Sequence, residues 1–307
     1  MKTAFAYDVS GNLYWTATGN GTGTLVAATT TGFDPIGNLV AVDGPLPGTA
    51  DTVRTRYNSA RQVIGTVSPD PDGGGALKHR AVRNSYDPST GLLVKVEQGN
   101  VDSQSVSDWA AFSPAQAVET SYDPYARPVV SKLVSGTTVH ALGQTSYDAL
   151  GRPECSAQRM NPAVFGSTLP AACTLGAQGT GTGDHGPDRI TRTLYDAAGR
   201  AIEVKTAVGT ADEASEVRKS FTANGQVETV TDAEGNRTTY EYDRHDRPAK
   251  TYFPLPSPKA RTPVTARTTS SGPMRTSPAG PAPRAWSLPS ATALARRSAS
   301  ATMRSAG

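Results

Sequence analysis

The side chains that could do chemistry in this chain are mostly aspartates, and many recur at a fixed spacing from a glycine. Paired carboxylates can serve as acid and base at a glycosidic bond. Clustered carboxylates can hold calcium, which takes about six to eight oxygens. Gly179-x-Gly181-x-Gly183-Asp184 offers only Asp184 and the nearby Asp188, and reads as a loop. Asp70-Pro71-Asp72-Gly73 lacks the later ligands of a calcium-binding loop and reads as a turn. The histidines, His79, His140, His185 and His245, are too scattered for zinc-ligand spacing. The sequence contains no Gly-x-Ser-x-Gly elbow, His-Glu-x-x-His pair or phosphate loop. Catalytic residues, cofactor sites and metal sites are therefore all expected to be none, and the chain is not expected to be an enzyme.

The aspartates have another use. Tyr195-Asp196-Ala197-Ala198-Gly199-Arg200 recurs as Tyr147-Asp148-Ala149-Leu150-Gly151-Arg152 and Tyr7-Asp8-Val9-Ser10-Gly11-Asn12. Weaker copies begin at Phe33, Tyr57, Tyr86, Tyr122, Phe221 and Tyr242, the last followed by Asp243. A half-copy, Asp232-Ala233-Glu234-Gly235-Asn236, lacks the leading aromatic. The lead aromatics are spaced 26, 24, 29, 36, 25, 48, 26 and 21 residues apart, so a short unit carries insertions. Asp at the first turn position can accept from an N–H two residues on, and Gly at the fourth can take positive φ. The phrase is thus a hairpin turn with Tyr and Arg at its flanks. The flanks alternate as strands do: Ile202, Val204 and Thr206 against Glu203 and Lys205, and Thr238, Tyr240 and Tyr242 against Arg237, Thr239 and Glu241. Repeated hairpins bury their surface against their neighbours, so function is expected over an extended surface.

The phrase resembles the RHS repeat, also called the YD repeat, of bacterial polymorphic-toxin and wall-associated proteins. The resemblance covers roughly residues 1–258. It implies an all-β fold of tandem hairpins stacked into a curved, shell-like sheet. It further implies a scaffold that encapsulates or presents a C-terminal toxin or effector. Partners would be that toxin domain or further RHS repeats outside this chain. The alternative is a cell-surface carbohydrate-binding or adhesion module, since Tyr faces can stack on sugars; packing between hairpins is the competing use of those rings. Members of the family cleave themselves near an Asp-Pro-x-Gly-Leu motif. Asp34-Pro35-Ile36-Gly37-Asn38 and Asp87-Pro88-Ser89-Thr90-Gly91-Leu92 depart from it and read as turns.

Composition agrees with thin β layers: of 307 residues, 36% are hydrophobic, 30 are glycine and 23 are proline. Repeat regions are expected at 1–153 and 189–258, separated by an insertion at 154–188 that holds Cys155 and Cys173. A disulfide between them would stabilise the loop by about 3 kcal/mol; two independent thiols are the other reading. Residues 259–307 carry eight basic and no acidic residues, leaving 22 basic and 27 acidic before them. The repeat region therefore offers no basic field for nucleic acid. The basic segment is expected to be disordered, as a frameshift product or as a flexible tail. No apolar leader follows Met1 and no run of 18 apolar residues exists, so neither a signal peptide nor a membrane span is expected. The chain reads as a fragment of a longer protein that is secreted or displayed at the cell surface.

Overall fold

The computed structural model describes residues 2–21, 23 and 25–254. The expected disordered tail at 259–307, with its frameshift reading, lies outside the described residues.

The described chain is almost entirely antiparallel β structure in one 18-stranded sheet. Nine hairpins follow one another. They are β1 (Lys2–Tyr7) with β2 (Leu13–Gly19), β3 (Leu25–Phe33) with β4 (Leu39–Asp43), and β5 (Val53–Tyr57) with β6 (Val63–Val67). Next come β7 (His79–Tyr86) with β8 (Leu93–Val101), β9 (Ser113–Tyr122) with β10 (Pro128–Ser135), and β11 (Thr138–Tyr147) with β12 (Pro153–Arg159). The last are β13 (Arg189–Tyr195) with β14 (Ala201–Thr206), β15 (Ala214–Phe221) with β16 (Val227–Asp232), and β17 (Arg237–Tyr242) with β18 (Pro248–Tyr252). Each strand pairs only with its neighbours in sequence, so the sheet is a simple meander. Among the described residues β1 pairs only with β2 and β18 only with β17.

In a meander, successive turns fall on alternate edges. The nine aromatic-led turns therefore share one edge, and all span five residues except 87–92, which spans six. The other edge carries the connectors 20–24, 44–52, 68–78, 102–112, 136–137, 160–188, 207–213 and 233–236. The uneven spacing of the lead aromatics thus belongs to this second edge. The half-copy at Asp232 and Gly235 also lies there, opposite the full copies.

A single layer buries few side chains. β14 is half-buried along its whole length, so the expected contrast between the Val204 face and the Glu203 face is not one of inside against outside. Solvent reaches both faces wherever no connector covers one. Two connectors do fold back. Residues 102–112 include a short helix, α1 (Val106–Ala110), too brief to leave a helical period in the sequence. Ser105 caps it by accepting from the Asp108 N–H at 3.0 Å. Trp109 and Phe112 of this segment close a small core with Val67, Ala81 and Val101. Gly65 makes room for it, since a Cβ there would lie 2.0 Å from Trp109. Residues 160–188 cover Cys155, Ala157, Ile190 and Val208 with Ala172, Cys173 and Leu175.

The left-handed turn position is glycine in most hairpins; Gly199 has φ +84°. Ala126 holds the same place at φ +62°, where a Cβ costs energy. Ala126→Gly should therefore raise stability by about 0.5–1 kcal/mol, whereas Gly199→Val should lower it by about 1–3 kcal/mol. Thermal melts of the two variants beside the parent check both signs.

Candidate functional site

The edge that carries the full repeat phrases is the most regular surface of the molecule. Each turn follows one plan. The N–H of Asp148 donates to Arg152 O at 2.9 Å, and the N–H of Gly151 donates to Asp148 O at 2.9 Å. Asp148 Oδ1 accepts from the N–H groups of Leu150 and Arg152, both at 2.9 Å. Its Oδ2 takes Arg152 Nε at 2.7 Å and Nη2 at 2.6 Å. Asp123 with Arg127, Asp196 with Arg200, and Asp243 with Arg247 repeat the pair at 2.6–2.7 Å. Where Asn replaces Arg the amide substitutes, as in Asn12 Nδ2 to Asp8 Oδ2 at 3.0 Å and Asn236 Nδ2 to Asp232 Oδ2 at 2.8 Å. Gly11, Gly151 and Gly235 sit at φ +82°, +80° and +84°.

These turns are joined to one another through the lead aromatic. The guanidinium of Arg127 lies 4.4 Å from the ring centroid of Tyr147. Arg152 lies 4.3 Å from Tyr195, and Arg200 lies 4.5 Å from Phe221. In each case the ring belongs to the following hairpin. The tyrosine hydroxyl then donates to the first carbonyl after the preceding turn: Tyr57 to Leu39 at 3.0 Å, Tyr86 to Val63 at 2.9 Å and Tyr122 to Leu93 at 2.8 Å. Tyr147 to Pro128 at 3.0 Å, Tyr195 to Pro153 at 2.8 Å and Tyr242 to Val227 at 2.8 Å complete the set. The two remaining junctions are led by Phe33 and Phe221, which have no hydroxyl. Side chains of adjacent turns also meet directly, Arg61 Nε with Asn38 Oδ1 at 2.8 Å and Asn224 Nδ2 with Asp246 Oδ1 at 2.9 Å. The sequence placed Tyr and Arg beside the turn; that they link successive turns depends on strand register, which composition does not encode.

The carboxylates of this edge are held ionised. Asp87 falls to about 2 from an ordinary 3.8 because the Ser89 hydroxyl, then the Thr90 N–H and hydroxyl, donate to it. Asp148 and Asp196 are lowered first by the backbone N–H of Arg152 and Arg200, then by those side chains. Asp243 is lowered first by the Arg247 side chain. Each is a structural acceptor already engaged.

The second built site closes the long connector. Arg159 and Asp188 form an ion pair at 2.7 Å, with side chains only 1% and 5% exposed. Arg159 also donates to Thr174 O, Pro170 O and Ala171 O at 2.8–3.0 Å. Asp188 accepts from the N–H groups of Met160 and Gly176, both at 2.8 Å. Burial alone would raise the Asp188 carboxyl; Arg159 and the two N–H donors outweigh it and hold it low. Cys155 and Cys173 are bonded, with S–S 2.08 Å. Sequence reasoning missed Arg159 and assigned Asp188 only to a weak calcium motif. The available signal was position: the two residues are the last before and the last within the connector between β12 and β13.

The other chemical candidates stay apart. Asp184 accepts from Gln178 and Gly186 in its own loop, away from the Asp188 network. Asp70 accepts from the N–H groups of Asp72 and Gly74 as a turn. Glu154 and the Cys155 and Cys173 sulfurs lie within 4.8 Å of one another. The sulfurs are bonded to each other and Glu154 accepts from Arg192 at 2.7 Å, so this group does not form a ligand set.

Two measurements follow. A double-mutant cycle of Arg152→Met with Tyr195→Leu should give a coupling of about 0.5–1 kcal/mol. Arg152→Met with Tyr86→Leu, several strands away, should give none. The turn aspartates also set acid stability. Their folded pKa lies below the unfolded one, so their stabilisation is complete above the ordinary carboxylate range and is lost as pH falls through the folded values. The melting temperature should hold at neutral pH and drop as pH falls from 3.8 toward about 2, the range spanned by Asp87.

The RHS Repeat family matches residues 221–254, which hold the turns at 222–226 and 243–247 and the half-copy between them. No curated protein matches the chain. Solved structures of the TcdB2-TccC3 complex are similar at 13% identity, covering 80% of this chain and 16% of that one, with a TM-score of 0.37. The same complex without its hypervariable C-terminal region gives 13%, 82%, 15% and 0.36. A Photorhabdus luminescens Tc holotoxin pore gives 13%, 80%, 15% and 0.34. This chain spans about one sixth of the length of those chains. Among the described residues no helix is long and apolar enough to cross a membrane. Residues 221–254 match the RHS Repeat family, and the turn they carry recurs along the sheet.

Proposed function

We propose that this chain is a structural segment of an RHS scaffold whose complete form encloses or presents a C-terminal toxin or effector. The observation that carries the reading is the edge on which Arg, Tyr and Asp of successive turns fasten one hairpin to the next. That edge gives a strip whose length is set by the number of repeats. The RHS repeat at 221–254 supports the same role. The strip comprises repeat regions at 1–153 and 189–258 around an insertion at 154–188 whose residues 154–159 complete β12, and it works outside the producing cell or at its surface. It has no catalytic step of its own: the repeated carboxylates accept from their own turns and stay ionised. The carbohydrate reading needs free aromatic faces. Tyr147 and Tyr195 instead carry a guanidinium on the ring and a hydrogen bond on the hydroxyl.

The test uses the DNA on either side of this reading frame. It should encode further Tyr-Asp-x-x-Gly-Arg phrases and a C-terminal domain. When the contiguous protein is made, that domain should resist protease for as long as the repeats remain intact. Digestion at the rate of the isolated domain would reject enclosure, and flanks without repeats would reject the scaffold.

A further inference from the structure

Four hairpins carry an arginine three residues before the lead aromatic: Arg54, Arg83, Arg192 and Arg218. The chain answers three of them with a carboxylate. Arg83 stands opposite Glu97 and bonds it at 2.6 Å, and Arg218 stands opposite Glu203 and bonds it at 3.0 Å. Arg192 bonds Glu154 at 2.7 Å. β5 departs from this pattern. It places a second arginine, Arg56, two residues after Arg54, so both point to one face about 6.6 Å apart along the strand. Arg54 stands opposite Ala41 and Val67, and Arg56 stands opposite Gly65, none of them charged. Among the described residues neither guanidinium has an ion-pair partner, and Arg56 Nε is buried without a hydrogen bond.

The two arginines line a groove of about 710 Å³ whose wall is the connector at 103–106. That volume lies in the range of small-ligand sites, about 300–1,000 Å³. Arg56 fastens the wall, since its Nη2 donates to Gln104 O at 2.9 Å and Ser105 O at 2.7 Å. Burial, and then the charge of Arg54, hold Arg56 below the usual arginine range. Asp34 also lines the groove, but its carboxylate accepts from the N–H groups of Ile36 and Asn38 and from Asn38 Nδ2, all within its own turn. Two adjacent cations, walled on one side and unanswered by the chain, call for an anionic ligand.

We propose that this groove binds an extended acidic peptide with carboxylates at alternate positions. Such a peptide sets every second side chain on one side at the spacing of Arg54 and Arg56, so each guanidinium forks one carboxylate. β5 is already paired on both sides, with β4 and β6, so recognition is by side chains and the peptide does not join the sheet. Nucleic acid fits less well. Residues 1–258 hold 22 basic and 27 acidic residues, so a polyphosphate that gains two contacts meets repulsion beyond them. The proposal concerns this groove alone and stands whether or not the strip encloses an effector.

The probe is a fluorescein-labelled Glu-Thr-Glu-Thr-Glu-Thr peptide, with Gln-Thr-Gln-Thr-Gln-Thr as its neutral counterpart, titrated with the full chain and followed by anisotropy. The acidic peptide should bind saturably, and more weakly as salt is raised. The neutral peptide, and the acidic peptide on an Arg54→Glu variant, should each bind at least about tenfold more weakly, the loss of charge-assisted hydrogen bonds. Arg54 is exposed and bonds nothing among the described residues, so this variant should melt as the parent does. Arg80→Glu makes the same charge change at an exposed site on the opposite face and should bind within about twofold of the parent. No binding to the parent, equal binding of the two peptides, or equal affinities of the Arg54→Glu and Arg80→Glu variants would overturn the proposal. Tighter binding of a single-stranded oligothymidylate would overturn it in favour of nucleic acid, and displacement of the peptide by inorganic phosphate at equal affinity would reduce the groove to a single-anion site.

Discussion

The structure depends on one bond repeated along an edge: the hydroxyl of a lead tyrosine on the first outgoing carbonyl of the preceding turn, backed at Tyr147 and Tyr195 by the ring's seat on that turn's guanidinium. A single-layer sheet has no second layer to fix its register. A slip of one residue would exchange the faces of a strand, and a polar, two-sided strand gives that slip little resistance. The hydroxyl bond names one carbonyl in each preceding hairpin, Pro128 for Tyr147 and Pro153 for Tyr195. Each such bond contributes only about 1 kcal/mol. Six of them, at the same position in six of the eight junctions, still select a single register over its neighbours, because a slipped strand forfeits its bond, and at Tyr147 and Tyr195 the stacked ring with it.

Fixing one edge frees the other. Connectors there range from the two residues at 136–137 to the 29 residues at 160–188 without disturbing the pairing on either side. Loop-closure entropy grows slowly with length, so long insertions are tolerated. The longest still needs internal support, since it lies over the sheet and carries its own buried polar groups. It has three devices: a disulfide from Cys155 in β12 to Cys173, the buried Arg159–Asp188 pair at its mouth, and apolar contacts of Ala172 and Leu175 with Ile190 and Val208. Removing either charge of the pair alone would leave the other buried without compensation. The 102–112 connector uses only the last of these, in its core with Val67, Ala81 and Val101. It relies on Trp109 and Phe112, each under an arginine from the sheet, Arg56 at 5.4 Å and Arg83 at 4.5 Å.

What the sequence made legible was local. A turn is decided by residues within five positions of one another, so Asp148, Gly151 and Arg152 announce theirs directly. The hairpin content followed from the same phrase, as did the all-β class. The partner of Tyr195 could not be read this way. Pro153 is 42 residues away, and the intervening length varies from unit to unit. The two cores were hidden for a related reason. Trp109 and Phe112 lie in a segment without strand or helix period, and nothing local indicates that Gly65 leaves space for an indole. Arg159 was masked by its alternating neighbours in β12, where a charge at the strand end reads as solvated until the connector covers it.

The contrast between the two edges also locates where such a protein can change. Substitution at the turn edge acts on two hairpins at once, because Arg127, Arg152 and Arg200 each serve their own aspartate and the next ring. Substitution in a connector acts on one. Variation is therefore tolerated at the connector edge and penalised at the turn edge, which is the pattern along this chain: the turns keep their length while the connectors differ more than tenfold in theirs. Where the phrase loses its aspartate, the replacements keep a side-chain hydrogen bond across the turn but reverse its direction, the first turn residue donating to the last. Asn58 and Gln62 bond through Nδ2 and Oε1 at 2.8 Å, and Thr222 and Gln226 through Oγ1 and Oε1 at 2.8 Å. A closed loop of hydrogen bonds inside each turn is thus the recurring physical requirement of the fold, and the ion pair is one way of meeting it.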